Sequence, residues 1–287
     1  MVQNLINAAV TGSAYVLIAI GMTMIYGQLR ILHVAHGAVY TLGAFMGLIV
    51  WRIGGGLWAG LLAAAIIAGL AGVGIYEAVY RHILNRSPLV ALIASVGMLI
   101  LAEALFQQDF FFGPMTQPYK PVSGIPSIQL GSLHLSSSQI TIILVATVLI
   151  IGLLILFKYS RLGLEWRALA LDSKAANAIG IAVHRSMVLN FFLGSALAGI
   201  AGLLVGAYEG RVYATMGSIP SYKAMVIIVM GGFGNVKGAI IAGYVLALLE
   251  TFTISSVGYI LPRDAIAFVV LIIVLMLWPN GLIGRKA

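Results

Sequence analysis

The sequence predicts an all-α polytopic membrane protein with about eight transmembrane segments, discontinuous or re-entrant helices and inverted-repeat character. Three observations predict this fold. Only 8% of the 287 residues are charged, whereas 61% are apolar. The apolar residues form stretches that approach the roughly 20 residues a helix needs to cross a hydrocarbon core. The few charged residues gather between these stretches, so residues 1–287 are expected to form a single transmembrane domain.

Composition also narrows the function classes. The chain has no cysteine, which excludes disulfides and thiolate-bound metals. Its net charge of +8 does not indicate a nucleic-acid partner. Nucleic-acid binders cluster Lys and Arg on one face of a soluble domain, whereas here the cations lie in short connections between apolar stretches. Membrane lipid is therefore the expected surrounding.

The apolar segments follow one another with short connections. They lie at about 5–26, 37–51, 57–80, 88–107, 138–157, 187–208, 223–256 and 265–279. Ser87 before Pro88 predicts the start of the fourth helix, because Ser is a good N-cap and Pro suits the first helical position. The sequence GGFGNVKG, residues 231–238, interrupts the seventh segment.

The distribution of Lys and Arg predicts the orientation, because basic loops stay in the cytoplasm. With the N-terminus outside and the C-terminus in the cytoplasm, ten cations lie inside: Arg30, Arg81, Arg86, Lys158, Arg161, Arg167, Lys174, Arg185, Arg285 and Lys286. Five lie outside: Arg52, Lys120, Arg211, Lys223 and Arg263. This arrangement requires the 223–256 region to enter and return, with its turn at residues 231–238.

That turn either reaches the cytoplasm or stops within the membrane. Ten residues of helix from 222 to 231 span only about 15 Å, which favours a broken or re-entrant helix. Non-helical backbone at membrane depth is tolerated only where it is buried in protein or lines a water-filled cavity. The interruption is therefore a candidate for the solute pathway.

Two glycine-punctuated segments, residues 25–45 and 226–246, stand in opposite halves of the chain. Such a pair is the pattern of an inverted-repeat transporter with its pathway between the two interruptions. The other interpretation of these glycines is close helix packing. The predicted pathway residues are His33, His36, Gly37, Glu103, Gly231, Gly232, Gly234, Asn235 and Glu250.

Small residues recur every four positions on two other helices. Gly60, Ala64, Ala68 and Gly72 do so on the third, and Gly194, Ala198, Gly202 and Gly206 on the sixth. Stripes of this kind let another backbone approach closely. We expect these two helices to form the scaffold rather than the binding site.

Three acidic residues lie within apolar stretches, where an unpaired charge costs at least a few kcal/mol. Glu103 and Glu250 either line an outer vestibule and meet a substrate ammonium, or bond to neighbouring helices. Glu77 precedes Arg81 by four residues, which predicts an ion pair within one helix.

The polar segment 158–186 is expected to be a cytoplasmic loop. Asp172 can N-cap a short helix over 173–179, and Gly180 suits the left-handed position that ends it. The apolar residues of this helix are Ala175, Ala176, Ala178 and Ile179. They need either a partner protein or the protein's own helix ends as a contact surface.

Four motifs in this order carry a family resemblance. They are GMTMIYGQLRILHVAHG at 21–37, RALALDSKAANAIGIAVHRSMVLNFFLGSALAGIAG at 167–202, MGGFGNVKGAIIAG at 230–243 and WPNGLIG at 278–284. Together they resemble the permease subunits of ABC importers for branched-chain amino acids, and in length the shorter, LivH type.

The resemblance implies an assembly in a bacterial inner membrane. Its partners would be a second permease subunit of the LivM type, two cytosolic ATPase subunits that use ATP and Mg²⁺, and a periplasmic substrate-binding protein. The short helix would be the coupling helix, with Arg167, Asp172, Ala175, Ala176, Ile179 and Gly180 as the ATPase-coupling residues. The chain has no Walker A pattern, so we expect it to hold no cofactor and to catalyse no reaction itself.

One position departs from the family pattern. His33 stands where these permeases usually carry Asn, so a ring nitrogen would have to make the bond at the break. His33 and His36 are three residues apart, but with no third ligand in sight we predict hydrogen bonding rather than a metal site. The alternative function is an autonomous secondary transporter or channel for a small polar solute, although no intramembrane acidic chain suits a proton relay.

Overall fold

The fold is described from a computed structural model, which covers residues 1–84, 86–121, 124–130, 133–258, 262–278 and 281–282. Its helices are α1 (Val2–Leu29), α2 (His36–Arg52), α3 (Leu57–Ile75) with a π-helical turn (Tyr76–Tyr80), α4 (Arg81–Ile83), α5 (Pro88–Phe106), α6 (Ser137–Tyr159), α7 (Arg161–Leu171), α8 (Ser173–Ala178), α9 (Val183–Glu209), α10 (Ser218–Gly231), α11 (Val236–Val257) and α12 (Arg263–Leu277). Two antiparallel pairs of short strands complete it, β1 (Gln117–Pro118) with β4 (Arg211–Val212) and β2 (Ile128–Leu130) with β3 (Leu133–Leu135).

The predicted all-α polytopic class is confirmed, but a count of eight full crossings is not. Within the described part of the chain, six helices are long and apolar enough to cross a membrane: α1, 57–83, α5, α6, α9 and α11. The predicted segments 37–51 and 265–279 form α2 and α12, of 17 and 15 residues. The start of the fourth segment at Pro88 is correct, although the Ser87 side chain makes no capping bond.

Helix α9 lies at the centre of the bundle because small residues cover several of its faces. Ala64 and Ala68 of α3 pack against the backbone of Gly199, while Gly194 faces Gly21 of α1. Gly202 lies against the main chain of Tyr40 in α2. The predicted small-residue stripes are thus packing surfaces, as close backbone approach requires.

The order of elements repeats with inverted direction. Helix α1 ends at Arg30, whose φ of 54° is left-handed, and a short segment leads to the shorter helix α2. Helix α9 ends at Gly210, with a φ of 71°, and a short segment leads to the shorter helix α10. Since α1 and α9 are antiparallel, with Asn190 bonded to Met24 and Gly194 facing Gly21, the two units run in opposite directions.

The inverted repeat therefore pairs different segments from those predicted. The counterpart of the break after α1 is the connection 210–217, not the glycine-rich sequence 231–238 that joins α10 to α11. In each unit the third helix packs on the first helix of the other unit. Gly72 of α3 meets Phe191 and Ser195 of α9, and Gly243 of α11 meets Val16 of α1. The predicted pairing was wrong because it matched segments by their glycine content rather than by their position after a long helix.

Candidate translocation and coupling sites

The shorter helices α2 and α10 begin inside the bundle, and their first turns touch. A Cβ atom on Gly37 would lie 2.6 Å from the carbonyl oxygen of Gly217, so glycine is required for this approach. The Gly217 amide donates to Thr41 Oγ1 at 3.0 Å, and Ser221 Oγ donates to the Val34 carbonyl oxygen at 2.8 Å. All five of these residues are buried, so the contact is a polar crossing point within apolar surroundings.

His33 and His36 lie at this crossing point and are fully buried. His33 Nδ1 is 2.7 Å from the hydroxyl oxygen of Tyr80 in the π-helical turn, and its ring packs edge-on against Phe191. A histidine nitrogen thus makes the side-chain bond that was predicted at this break. In the described residues, no group of three His, Cys, Asp or Glu residues could hold a metal ion.

A buried ionic cluster links four helices about midway along α1. Lys223 Nζ lies 2.9 Å from Glu250 Oε1 and 3.3 Å from Asp264 Oδ1. It also donates to the hydroxyl of Tyr15 at 2.7 Å, and Tyr15 donates to Glu250 Oε2 at 2.8 Å. Lys223 and Glu250 are 5% and 1% exposed. Their pairing explains how two charges are tolerated at this depth.

Lys223 was predicted to lie on the outer side, at the start of the seventh segment. Helix α10 begins five residues earlier, at Ser218, so Lys223 lies inside the bundle instead. The signal was present, because a lysine within an apolar stretch needs a carboxylate partner and Glu250 was already singled out. Tyr15 carried no such signal.

An open cavity of about 330 Å³ lies beside the cluster, toward the N-terminal end of α1 and the C-terminal end of α9. We call it the outer cavity, because the charge distribution predicts that this end faces outside. It is lined by Val10, Thr11, Ala14, Tyr15, Ile18, Tyr40, Ile142, Val205, Tyr208, Glu209, Tyr213, Met216, Ile219, Pro220, Lys223, Arg263 and Asp264. Glu250 lies behind Lys223 rather than on the wall. Glu103 is also outside the cavity and contacts Ser218 at the start of α10. Both acids therefore bond to neighbouring helices, the second interpretation considered for them.

The break between α10 and α11 lies at the other end of the bundle. Gly232 and Gly234 have φ angles of 94° and 73°, which L-residues rarely adopt, and Asn235 caps α11 by accepting from the Gly238 amide at 3.1 Å. Phe233 stacks on Tyr26 near the end of α1, with ring centroids 4.7 Å apart. The backbones of Gly231 and Gly238 touch, which closes the turn.

The break adjoins the segment predicted to couple to an ATPase. Tyr26, Arg30, Phe233 and Gly234 line one surface groove together with Arg167 and Leu171 of α7. Arg167 also donates to the carbonyl of Phe157 at the end of α6. The predicted pathway residues therefore do not form one site: His33, His36 and Gly37 lie at the crossing point, whereas Gly231, Gly232, Gly234 and Asn235 form the α10–α11 turn, whose Gly234 shares a groove with α7.

The predicted helix after Asp172 is present as α8. The Asp172 carboxylate accepts from the amides of Lys174 and Ala175 at 2.8 and 3.1 Å, and Gly180 has a φ of 90°. Those backbone bonds hold the pKa of the exposed Asp172 carboxyl below its ordinary value, because they favour the charged form. Ala176 is 3% exposed, whereas Ile179 is 78% exposed. Ala175 and Ala178 are also exposed.

The predicted intrahelical pair is confirmed. Arg81 Nη1 lies 2.8 Å from Glu77 Oε2, and His184 at the start of α9 contacts the other oxygen of the same carboxylate at 3.1 Å. The pair therefore fastens the π-helical turn to α9 at the end of the bundle that carries α7 and α8.

These features define a polytopic membrane protein in which two units of opposite direction meet through their short interior helices, α2 and α10. Residues 4–277 match the family described as the permease component of branched-chain amino acid transport systems. The chain belongs to this family of membrane permeases.

Comparison with individual proteins agrees with this assignment. The chain is 33% identical to the high-affinity branched-chain amino acid transport system permease protein LivH of Escherichia coli K12, over 99% of this chain and 95% of that protein. It is also 33% identical, with the same coverage, to the corresponding permease protein BraD of Pseudomonas aeruginosa. Among solved structures, PsaBC from Streptococcus pneumoniae in complex with Fab shares the fold, with a TM-score of 0.52 and 16% identity over 97% of this chain and 91% of that chain.

Proposed function

We propose that the chain is the permease subunit of an ATP-driven importer for branched-chain or chemically related amino acids. The observation that carries the proposal is the family match over residues 4–277, together with the short helix α8, which ends at an exposed apolar residue, Ile179. An exposed, capped and rigid helix is a surface suited to another protein.

The partners follow from the same proposal. A second permease of the LivM type completes the membrane unit, two cytosolic ATPases dock on α7 and α8, and a periplasmic binding protein delivers the amino acid. The ATPases bind ATP and Mg²⁺, and this chain supplies no reacting group. Its N-terminus lies outside and its C-terminus in the cytoplasm of the bacterial inner membrane.

The coupling step is a motion of α7 and α8 that reaches the solute path. Arg167 and Leu171 share a groove with Phe233 and Gly234 of the break, so displacement of α7 acts on the α10–α11 turn. Helix α10 extends from this turn to the crossing point at Gly37. The ATPases thereby bias the permease between outward-open and inward-open states, since a bound partner shifts the population of the state it prefers.

Reconstitution tests the proposal. The two permeases and two ATPases in proteoliposomes, with the binding protein outside, should take up radiolabelled leucine, isoleucine or valine only when ATP is inside. Omission of the ATPases is the control. Uptake by this chain alone without ATP would favour the secondary-transporter alternative instead, and transport of none of these amino acids or related amides by the full complex would contradict the proposed function.

A further inference from the structure

The outer cavity carries charges that the buried cluster leaves available. Arg263 forms no ion pair within the residues that the structure describes, and it is exposed at the start of α12. The neighbouring Asp264 is about half exposed and contacts Lys223 through one oxygen, Oδ1, at 3.3 Å. Across the cavity, Glu209 has only an exposed contact with Arg211 at 3.3 Å. Besides the buried Lys223, one cationic and two anionic groups therefore border the same space.

The inner wall of the cavity is apolar. Its aliphatic residues are Val10, Ala14, Ile18, Ile142 and Val205. A volume of about 330 Å³ lies at the lower end of the range for sites that bind small molecules. Such sites are mostly apolar, with a few charged groups that fix the orientation of the ligand. The outer cavity has this composition.

We propose that the outer cavity binds a free zwitterionic α-amino acid with an aliphatic side chain. Arg263 receives the carboxylate, because a guanidinium matches a carboxylate with two parallel hydrogen bonds. Asp264 and Glu209 receive the ammonium, and the aliphatic wall receives the side chain. This inference rests on the proposed function and adds to it a selectivity site within the permease itself.

Lys223 acts in this site as a positioning residue. Its bonds to Glu250 and Tyr15 fix the ammonium group, which in turn holds Asp264 through Oδ1 at the edge of the cavity. Without Lys223, Asp264 would be a surface carboxylate at the end of α12 with several rotamers. The buried cluster thus fixes one side of the ammonium site.

A phosphatidylethanolamine headgroup shares the chemistry of an amino acid, since it too carries an anion and an ammonium next to an apolar chain. The two ligands differ in that the lipid has a phosphate diester and cannot be removed by dialysis. Nanodiscs made of phosphatidylcholine and phosphatidylglycerol contain no lipid with an N–H ammonium group, because the choline nitrogen is fully methylated, so they separate the two possibilities.

The test measures binding of radiolabelled leucine to the complex of permeases and ATPases in such nanodiscs, without the binding protein. We expect saturable binding, weakened at least about tenfold by Arg263→Gln and by Asp264→Asn, because each removes charge-assisted hydrogen bonds. Arg52→Gln is the matched control. Arg52 is also an exposed cation at this end of the bundle, bonded to Gln117, but it does not line the cavity.

Two leucine analogues assign the roles. Leucine methyl ester lacks the carboxylate charge, so it should bind wild type weakly and lose little more in Arg263→Gln. N-acetylleucine lacks the ammonium, so it should bind wild type weakly and lose little more affinity in Asp264→Asn. This pairing of analogue and variant would not arise from a general loss of structure, and assembly of each variant is checked by size-exclusion chromatography.

Wild-type affinity for leucine in both variants would overturn the inference, as would equal losses for all analogues. Absence of leucine binding in these nanodiscs, with phosphatidylethanolamine bound by wild type and lost in Arg263→Gln and Asp264→Asn, would assign the cavity to lipid and also overturn it. ATP-dependent uptake without leucine binding to the complex would refute the site but leave the proposed function intact. Absence of uptake in the reconstitution above would refute the function itself.

Discussion

The buried pair Lys223–Glu250 should contribute to stability in a way that its exposed counterpart Arg211–Glu209 does not. At 2.9 Å and an effective dielectric constant of about 20, the gross attraction between Lys223 and Glu250 is about 6 kcal/mol, much of it offset by desolvation of the two charges. Lys223→Met removes the cation and leaves Glu250, 1% exposed, with only the hydroxyl of Tyr15.

Breaking a buried pair in this way costs about 3–5 kcal/mol, because the remaining charge is uncompensated. We therefore expect Lys223→Met to lower the thermal midpoint of the purified complex by on the order of 5–10 °C. The double variant Lys223→Met/Glu250→Gln should recover much of that loss, since the amide oxygen still accepts from Tyr15 and no buried charge remains. Arg211→Met, which breaks an exposed pair, should cost at most about 1 kcal/mol.

Fluorescence-detected thermal unfolding of all four proteins in one detergent measures these shifts. Adding the single variant Glu250→Gln completes a double-mutant cycle with wild type, Lys223→Met and the double variant, and this cycle gives the coupling between positions 223 and 250. If Lys223→Met costs no more than Arg211→Met, or if the double variant is as unstable as the single one, the buried pair does not stabilise the bundle and the reasoning is refuted.

Three further predictions concern packing, coupling and the break. Gly43→Ala should destabilise the complex by about 1–3 kcal/mol in the same thermal assay, because its Cβ would overlap the backbone of Gly199. The control Gly97→Ala has open space around it and should be neutral or slightly stabilising. Equal effects of the two substitutions would contradict the close α2–α9 contact. Asp172→Lys should reduce co-purification of the ATPases, because it removes the N-cap of α8. The control Asp172→Asn caps equally well and should not reduce it. Unchanged recovery of the ATPases with Asp172→Lys would argue against the coupling role. Gly232→Leu should abolish ATP-dependent uptake while the complex still assembles, because Leu disfavours a φ of 94°. The control Gly54→Leu, at a φ of 84° in an open turn, should transport normally. Normal uptake with Gly232→Leu would exclude the α10–α11 break from the mechanism.

Local sequence determined the elements that depend on neighbours in the chain. The polar backbone groups of a segment in lipid must bond to one another, so an apolar stretch in the bilayer forms a helix and hydropathy alone located the long spans. The start of α5 at Pro88, the cap at Asp172 and the left-handed Gly180 follow from residues within a few positions of each other. The Glu77–Arg81 pair is one helical turn long and was predictable for the same reason.

Only the tertiary structure decided which distant residues meet. Gly37 touches Gly217 across 180 positions of sequence, and Lys223 reaches Glu250 and Asp264 on two other helices. No local pattern encodes such pairings, because they depend on where α2 and α10 begin within the bundle. The outer cavity likewise exists only after α1, α9, α10 and α12 have packed, since each supplies a different part of its wall.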